Sequence, residues 1–502
     1  MHLFPLPAGL VCVLLFLLVP RAEARDEDGE ALMHLRQATC SRARTLFQEG
    51  DEHYDDFRDE QAIACWTEAY LLMIPCWRDL PFLGPVKRAS IPREALEPRM
   101  RSLLDEEFDA DALAYECMYA HMGFAEEGSN VAELFVPLLA EEIAGYYDTE
   151  EKTFFVVDDE EYPFDPNELK VVICHELAHA LADQHFDLDA LDRRSEHDDD
   201  MLLAISALGE GEADLVASMD DEAQTPFGYR EALRGDGLAW AAFDVGLDLL
   251  DALIASLYLP ALAALDLLAP LPEVGASAPL VLLEESTFPY EKGLLFCRFL
   301  TRTGGWEAVN SAFADPPLST EQILHPGKYR GPGRDDPTEI LLGEDEPPLL
   351  ARSELLLENV LGEHHLEVLL RPRLGVLRST DAARGWDGDL YRLYRRASGE
   401  TVFLFCSIWD TEADAREFAT ALLEMRRPEG AAAVDLPPSR GEGAAWSRGV
   451  LVSAIVWHGD RVVFVDHSPK NDLGEILDHC LGATTREKKL APADVAEEEE
   501  DE

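Results

Sequence analysis

The spacing of apolar residues differs between the two ends of this chain of 502 residues. Residues 25–130 carry apolar positions at helical spacing, with a Pro/Gly break at 81–85. Beyond residue 350 the apolar runs become short and are separated by helical stretches, and 401–408 and the two halves of 451–466 are predicted strands. We therefore predict an α+β fold, in which an N-terminal helical region precedes a C-terminal α+β domain at residues 351–485.

The clearest helical pattern lies within residues 131–345 and begins at Asp165. Asp165 is a typical N-cap and Pro166 a typical first-turn residue. The apolar positions that follow at helical spacing predict a mostly buried helix: Leu169, Val172, Ile173, Leu177, Ala178 and Leu181. A second helix is predicted from about 201 to 219, opened by the acidic run 198–200.

The first of these helices carries the sequence His-Glu-Leu-Ala-His at residues 175–179. His175 and His179 are four positions apart, so their imidazoles share one helix face and can bind one metal ion. Glu176 is placed to act as general base on a water that the metal activates. The alternative is a pair of hydrogen-bonded core histidines, but burying two imidazoles and a carboxylate is costly unless something satisfies them.

Two residues are candidates for the third protein ligand that a catalytic zinc site normally has. His185 follows at the metzincin spacing, but Ala182 stands where that spacing needs a glycine to break the helix at positive φ. Glu210 lies on the second helix, and Asp214, four residues on, shares its face and can orient a ligand imidazole. Glu212 has no acidic partner at that spacing. We favour Glu210 over His185; the other interpretation of Glu210 and Glu212 is a solvated acidic helix face.

The motif HExxH followed by ExxAD on a second helix resembles the gluzincin metallopeptidases, the clan of thermolysin. The ExxAD form is especially similar to that of the membrane-bound heat-shock gluzincins. The resemblance implies Zn²⁺ held by His175, His179 and Glu210, with Glu176 as general base and Asp214 behind the ligands. It also implies that residues 131–345 form a mainly helical, zincin-like catalytic domain with a small edge β-sheet.

A hydrogen-bond donor for the oxyanion of peptide hydrolysis is expected near such a zinc. The candidates are His325, Tyr290 and Tyr329, and we favour His325 as a catalytic residue because a His-Pro-Gly turn suits a fixed loop position. The segments that contain them, 288–293 and 316–329, are similar to those of a poorly characterised group of secreted bacterial proteins.

Residues 143–147 and 153–157 read as two short strands around a polar turn, just before the zinc-binding helix. Gluzincin sites have a strand beside this helix whose edge pairs with extended substrate. We expect 153–157 to be that edge and to bind peptide backbone by strand addition. A hairpin that only packs on the helix is the alternative.

The N-terminal apolar run and the net charge indicate where the protein is located and which partners it disfavours. Ala8 to Val19 is a short apolar run that predicts a secretory signal peptide at 1–24, and hence export to the periplasm, cell surface or medium. The net charge of −57 disfavours nucleic acid and anionic membranes and favours neutral or basic substrates. The apolar helices predicted at 238–271 contain aspartates that argue against a membrane span.

Polar sequence marks two further boundaries. Residues 331–348 are rich in proline and glycine and are expected to be a linker, and 486–502 is expected to be a disordered acidic tail. Eight cysteines follow the signal peptide, and an exported chain permits disulfides. We expect pairing among the four that cluster in the N-terminal region, which are Cys40, Cys65, Cys76 and Cys117.

Together these features predict an exported zinc-dependent metallopeptidase that hydrolyses peptide bonds in a peptide or protein substrate. Two alternatives remain at this stage. One is a zinc-binding cell-surface interaction or structural protein without peptidase activity, although a structural site has no need of Glu176. The other is a metzincin-like peptidase that uses His185 as its third ligand.

Overall fold

The structure, a computed structural model, describes residues 26–56, 58–108, 112–126, 128–129, 131, 143–158, 165–195, 198–220, 279–436 and 438–491. Three predicted segments lie outside these residues: the signal peptide, the apolar helices at 238–271 and the acidic tail from 492. Within the described part the chain is α+β, as predicted. None of the helices in that part is long and apolar enough to cross a membrane.

The helices are numbered in chain order. They are α1 Asp26–Asp55, α2 Asp59–Arg78, α3 Arg93–Phe108, α4 Ala112–Met122, α5 Pro166–Phe186, α6 Leu188–Arg193, α7 Asp199–Ala217, α8 Leu280–Ala314, α9 Thr320–Leu324, α10 Pro326–Tyr329, α11 Gly362–Leu374, α12 Val376–Ala383, α13 Glu412–Arg426 and α14 Leu473–Leu481.

The strands form three sheets. They are β1 Lys87–Pro92, β2 Gly145–Asp148, β3 Thr153–Asp158, β4 Thr338–Leu341, β5 Glu354–Asn359, β6 Trp386–Arg395, β7 Thr401–Trp409, β8 Ala433–Val434, β9 Glu442–Arg448, β10 Leu451–His458, β11 Arg461–Pro469 and β12 Thr484–Glu487. Their orders are β1-β3-β2, β5-β6-β7-β11-β10-β9-β8 and β12-β4.

Helix α5 forms where the sequence predicts it. The Asp165 carboxylate accepts a hydrogen bond from the Asn167 N–H at 2.8 Å, and Pro166 occupies the first turn. Of the predicted apolar stripe, Val172 is half-buried and the other five residues are buried. The helix continues through Ala182 to Phe186 without a break, because alanine does not favour the left-handed turn that a glycine would permit.

Helix α7 begins two residues before its predicted start, because Asp198 alone is the cap. The Asp198 carboxylate accepts a hydrogen bond from the Met201 N–H at 2.9 Å, and Asp199 and Asp200 are already helical. Helix α8 packs against α7 with almost no space between the two backbones. A methyl group at Gly211 would lie 2.0 Å from the carbonyl carbon of Gly293, and one at Gly293 would lie 2.0 Å from the carbonyl oxygen of Ala207.

The small sheet corrects one prediction. Residues 153–157 form the central strand β3, not an edge: β1 pairs with it in parallel on one side and β2 antiparallel on the other. The prediction was wrong because residues 87–92 were taken as part of a helical region, whereas they form the strand that covers this side of β3. The edge strand next to α5 is therefore β2.

The C-terminal domain is a seven-stranded antiparallel sheet with helices on both faces. Helices α11 and α13 cover one face together with Trp386, Phe403 and Phe464, while α14 covers the other with Val463 and Val465. The predicted strand at 401–408, the hairpin at 451–466 and the following helix are β7, β10, β11 and α14.

Two predicted boundaries were wrong. The segment 331–348 contains β4, which pairs with β12 at the far end of the chain. The ordered chain also extends past residue 485, since Arg486 pairs with Glu339 and the Lys488 N–H donates to the Pro337 carbonyl at 2.8 Å. These pairings connect segments that are about 150 residues apart, which local composition does not reveal.

No disulfide joins the cysteines of the described residues. The pairing expected among Cys40, Cys65, Cys76 and Cys117 is absent from this part of the chain. Those four side chains are half-buried on the N-terminal helices. Cys174, which precedes the first histidine of the motif and points about 100° away from it around α5, is fully buried.

Candidate metal centre

Three side chains predicted as ligands converge on one point. The Nε2 atoms of His175 and His179 lie 3.0 Å apart, and Glu210 Oε2 lies 2.9 Å from the first and 3.2 Å from the second. The first two come from α5 and the third from α7. The two-helix arrangement that the spacing predicts is therefore present in the structure.

Asp214 lies behind His175, on the side away from the cluster. Its Oδ1 is 3.0 Å from His175 Nδ1. A hydrogen bond from Nδ1–H to Asp214 leaves the lone pair of Nε2 directed at the cluster, which is the tautomer that a metal ion needs. One turn of α7 separates Glu210 from Asp214, so a single helix supplies both carboxylates.

The charges of the cluster are strongly coupled. Burial lowers the pKa of His175, but the carboxylates of Asp214 and Glu210 outweigh burial and hold the pKa well above its ordinary value. Burial also acts to lower the pKa of His179, and Glu210 again raises it overall. Burial would raise the pKa of Glu210, but the two imidazoles outweigh it and lower that pKa. The cluster thus attracts positive charge to its centre.

Glu176 lies beside the cluster and is 8% exposed. Its Oε2 accepts a hydrogen bond from the backbone N–H of Tyr147 on β2 at 2.7 Å. Burial raises the pKa of Glu176, while the neighbouring imidazoles act in the opposite direction. A buried carboxylate with one oxygen held by the backbone is a suitable general base, because its pKa moves toward neutrality.

Tyr290 is the candidate oxyanion donor that the structure brings to the cluster. Its ring stacks near His175, with ring centroids 6.0 Å apart, and it is 44% exposed. The Glu210 carboxylate is the main cause that raises the pKa of Tyr290 well above its ordinary value. The hydroxyl therefore keeps its proton and remains a hydrogen-bond donor.

The other two candidate donors make contacts elsewhere. His325, which the sequence favoured, has its Nε2 3.0 Å from Glu363 Oε1 on α11. The hydroxyl of Tyr329 donates to the Asp315 carbonyl at 2.7 Å, and its ring packs on Phe296 in the core.

His185 is likewise turned away from the metal cluster. Its Nε2 lies 2.7 Å from the Pro81 carbonyl oxygen. Since α5 does not break at Ala182, His185 lies about 1.7 turns beyond His179 on the same continuous helix and faces a different side. The metzincin spacing alone would have included His185 among the metal ligands. It lies elsewhere because Ala182, in place of a glycine, does not break the helix.

Glu212 does not belong to a solvated acidic face. It is 1% exposed and forms an ion pair with Arg78, which is also fully buried. The Arg78 guanidinium lies over the Trp306 ring at 4.4 Å from its centroid. This pair connects α2 with α7, so Glu212 has a structural role next to the candidate ligand Glu210.

Sequence reasoning missed residues that position the site. Gly211 and Gly293 allow α8 to approach α7 closely, which places Tyr290, one turn before Gly293, near Glu210. Asp183 accepts hydrogen bonds from Tyr147 and Lys152 of the β2–β3 hairpin. Asp183 follows His179 by four residues, so the sequence could have predicted that Asp183 shares the metal-binding face of α5.

The residues of the cluster fit a zinc ion. Two imidazoles and one carboxylate are the ligand types of catalytic zinc, and ligands around 2.0–2.2 Å from a tetrahedral ion lie roughly 3.3 Å from one another. The observed separations of 2.9–3.2 Å are close to that value. When the two imidazoles are neutral, each can offer an Nε2 lone pair to the same point as the Glu210 carboxylate, which suits a cation there.

A second group of possible ligands is less suited to a metal. His121, Asp466 and His467 lie between α4 and β11. Arg426 Nη2 is 3.9 Å from Asp466 Oδ2, and Arg448 Nη1 is 3.4 Å from His467 Nε2. Two guanidinium cations next to the group disfavour a divalent ion, so among the described residues His175, His179 and Glu210 are the better candidate ligands.

Comparison with known proteins concerns the C-terminal domain. Residues 354–477 match a domain of unknown function, DUF8575. This range contains all seven strands of the C-terminal sheet and none of α5, α7 or α8. No curated protein and no solved structure matches the chain.

Proposed function

We propose that the protein is a zinc-dependent metallopeptidase. The observation that carries the proposal is the convergence of His175, His179 and Glu210 within 3.2 Å beside the buried carboxylate of Glu176. A structural zinc site is normally closed by four protein ligands and does not need a buried carboxylate such as Glu176 beside them.

Zinc bound at this site would act as a Lewis acid on the scissile carbonyl and acidify water. His175, His179 and Glu210 would hold the ion, and Asp214 would keep His175 in the tautomer that binds it. Glu176 would accept a proton from the attacking water and pass it to the leaving amine. Tyr290 would donate its hydroxyl proton in a hydrogen bond to the oxyanion.

The substrate is proposed to be an extended peptide, bound along β2. Tyr147 and Phe154 form a non-hydrogen-bonded pair of the β2–β3 hairpin, so the backbone N–H and C=O of Tyr147 point away from β3. The N–H is directed at Glu176, and the C=O of the same residue remains on the edge that a peptide strand could extend.

Glu176→Gln is the variant that tests this function. The amide is nearly the same size and can still accept from the Tyr147 N–H, but it cannot take a proton. We expect it to retain the zinc content of the wild-type protein and to lose at least about 10³-fold in peptide hydrolysis, consistent with loss of a general base. The measurement is cleavage of a peptide library analysed by mass spectrometry, with zinc content determined on the same samples.

The library also distinguishes the alternative function. A wild-type protein that binds one zinc and cleaves nothing in the library would be a zinc-binding interaction or structural protein. Equal cleavage by the wild-type protein and the Glu176→Gln variant would exclude Glu176 as the base. Activity that remains after removal of zinc with a chelator would contradict the zinc-dependent mechanism.

A further inference from the structure

The carboxylate of Asp183 is buried at the end of the metal-binding face of α5. The residue is 5% exposed and lies one turn beyond His179. It accepts three hydrogen bonds: from the Tyr147 hydroxyl at 2.9 Å, from the Lys152 ammonium at 2.9 Å and from the Leu188 backbone N–H at 3.1 Å. Both oxygens are therefore occupied, and the proposed zinc chemistry does not use them.

Two of these donors belong to the β2–β3 hairpin. Tyr147 lies near the end of β2, and Lys152 lies in the turn that leads to β3. Lys152 has a φ of +52°, a conformation that side chains with a Cβ seldom adopt. One carboxylate on α5 thus holds the hairpin at both sides of its turn.

The hairpin in turn holds Glu176. The backbone N–H of Tyr147, the residue whose hydroxyl reaches Asp183, donates to Glu176 Oε2 at 2.7 Å. The strand and the helix are in close contact, since a methyl group at Gly145 would lie 3.1 Å from Val172 Cγ1 of α5 and 2.9 Å from the Phe155 carbonyl oxygen. A small displacement of β2 would therefore lengthen the bond to Glu176.

We propose that Asp183 is a positioning residue for Glu176, acting through Tyr147. Asp183 fixes the ring of Tyr147, the ring fixes the end of β2, and the backbone N–H of Tyr147 then holds one oxygen of Glu176 and leaves the other directed at the substrate side. The proposal rests on the proposed function, in which Glu176 is the base. The hydrogen bonds of the Asp183 carboxylate go to Tyr147, Lys152 and Leu188, and not to His175, His179 or Glu210.

Asp183→Asn is the test variant, because it keeps the size of the side chain and weakens its acceptance from Tyr147 and Lys152. Asp187→Asn is the matched control. Asp187 lies four residues further on and is also near Lys152, at 3.9 Å, but its side chain is 66% exposed. Its φ of +54° suits asparagine. Tyr147→Phe removes only the hydroxyl and is the milder test of the same contact.

The first measurement is kinetic, on a quenched fluorescent peptide that the wild-type protein cleaves. We expect Asp183→Asn to lower kcat about 10-fold with zinc content unchanged, and Asp187→Asn to keep a kcat within twofold of wild type. Tyr147→Phe should lower kcat similarly, and the double variant should be no worse than the more affected single variant, since both act on one contact. Equal kcat in the Asp183→Asn and Asp187→Asn variants would overturn the proposal.

The second measurement does not need activity. In protein labelled with ¹⁵N-tyrosine, the amide resonance of Tyr147 is assigned by its loss in Tyr147→Phe. We expect this resonance to move upfield in Asp183→Asn, because its hydrogen bond to Glu176 weakens, and to stay in place in Asp187→Asn. An unmoved resonance in Asp183→Asn would refute the positioning role. If the wild-type protein cleaves no peptide, the proposed function fails, while this resonance still decides whether Asp183 positions Glu176.

Discussion

At the scale of single residues, His175 shows most clearly how the site is built. One ring nitrogen is directed at the cluster and the other at Asp214, 3.0 Å away. An imidazole with an acceptor behind it is a stronger and better oriented metal ligand. Glu210 and Asp214 are four residues apart on α7, and this spacing places both carboxylates on one helix face. This part of the site could therefore be predicted from sequence.

The role of Tyr290 is a prediction at the same scale. Tyr290→Phe removes the hydroxyl while keeping the ring that stacks near His175. Loss of one oxyanion donor costs about 10²–10³-fold in kcat, and we expect a decrease of that size with zinc content unchanged. Tyr329→Phe is the matched control, because Tyr329 is buried and its hydroxyl donates to the Asp315 carbonyl. A Tyr290→Phe variant as active as Tyr329→Phe would exclude Tyr290 as the donor.

The preference for His325 in the sequence analysis rested on the His-Pro-Gly turn alone. That turn does hold the residue in a fixed loop, but the loop faces Glu363 of the C-terminal domain. A turn motif indicates local geometry and not which distant helix it will meet. Tyr290 lies near the cluster instead, because α8 packs closely against α7. No local sequence pattern predicts that contact.

At the scale of elements, the glycine contact between α7 and α8 is the feature that completes the site. Gly211 lies between Glu210, a candidate ligand, and Glu212, which forms the buried ion pair with Arg78. The side chain of alanine at position 211 would overlap the backbone at Gly293. The two helices must therefore separate if a methyl group is added.

We expect Gly211→Ala to destabilise the protein by about 2 kcal/mol or more, as overpacking at a rigid contact does. It should also lower peptide hydrolysis, since Tyr290 would move away from Glu210. Gly209→Ala is the control on the same helix. A methyl group there meets no atom within 4 Å, and replacing a glycine inside a helix should stabilise by about 1 kcal/mol. Urea denaturation of both variants measures the difference; equal stabilities would show that the contact is not tight.

The elements show where prediction from sequence succeeds and fails. Helix α5 and strands β7, β10 and β11 were predicted because their caps and apolar periods are local. The edge of the small sheet was assigned to the wrong strand because β1, more than 60 residues before β3, pairs with it in parallel. The periodicity of apolar residues predicts that a strand forms, but it does not predict which distant strand pairs with it.

At the scale of the whole molecule, the start of α7 is linked to the C-terminal domain. Asp199 Oδ1 accepts a hydrogen bond from the Asn359 amide at 2.7 Å, and Asn359 lies at the end of β5. Tyr115 of α4 donates to the same carboxylate at 3.2 Å. The DUF8575 range is therefore connected to the helix that carries Glu210 and Asp214.

The burial of Asp199 at this contact predicts a pH dependence of stability. Burial raises the pKa of Asp199 to about 7, whereas an aspartate in an unfolded chain has a pKa of about 4. Between these values the folded protein binds more protons than the unfolded protein, so this contribution to stability is complete below pH 4 and is lost as the pH rises through 7.

Asp199→Asn removes this titration. Between pH 5 and pH 8, the free energy of unfolding of the wild-type protein should fall relative to that of the variant by about 2–3 kcal/mol. The fall is about 1.4 kcal/mol per pH unit, and it stops near the folded pKa of about 7. Burial also raises the pKa of Asp389 to about 7. Asp389 is present in both proteins, so its contribution to the pH dependence cancels in the comparison. Urea denaturation at the two pH values makes the comparison. Parallel pH profiles would show that Asp199 is ionised in the folded protein.

The central claim, a catalytic zinc held by His175, His179 and Glu210, is tested most directly by the zinc content of the purified protein. Elemental analysis after dialysis should give one zinc per chain for the wild-type protein and for His185→Ala, and a loss of most of the zinc for Glu210→Ala. A wild-type protein without stoichiometric zinc, or a His185→Ala variant that loses zinc while Glu210→Ala keeps it, would contradict the account.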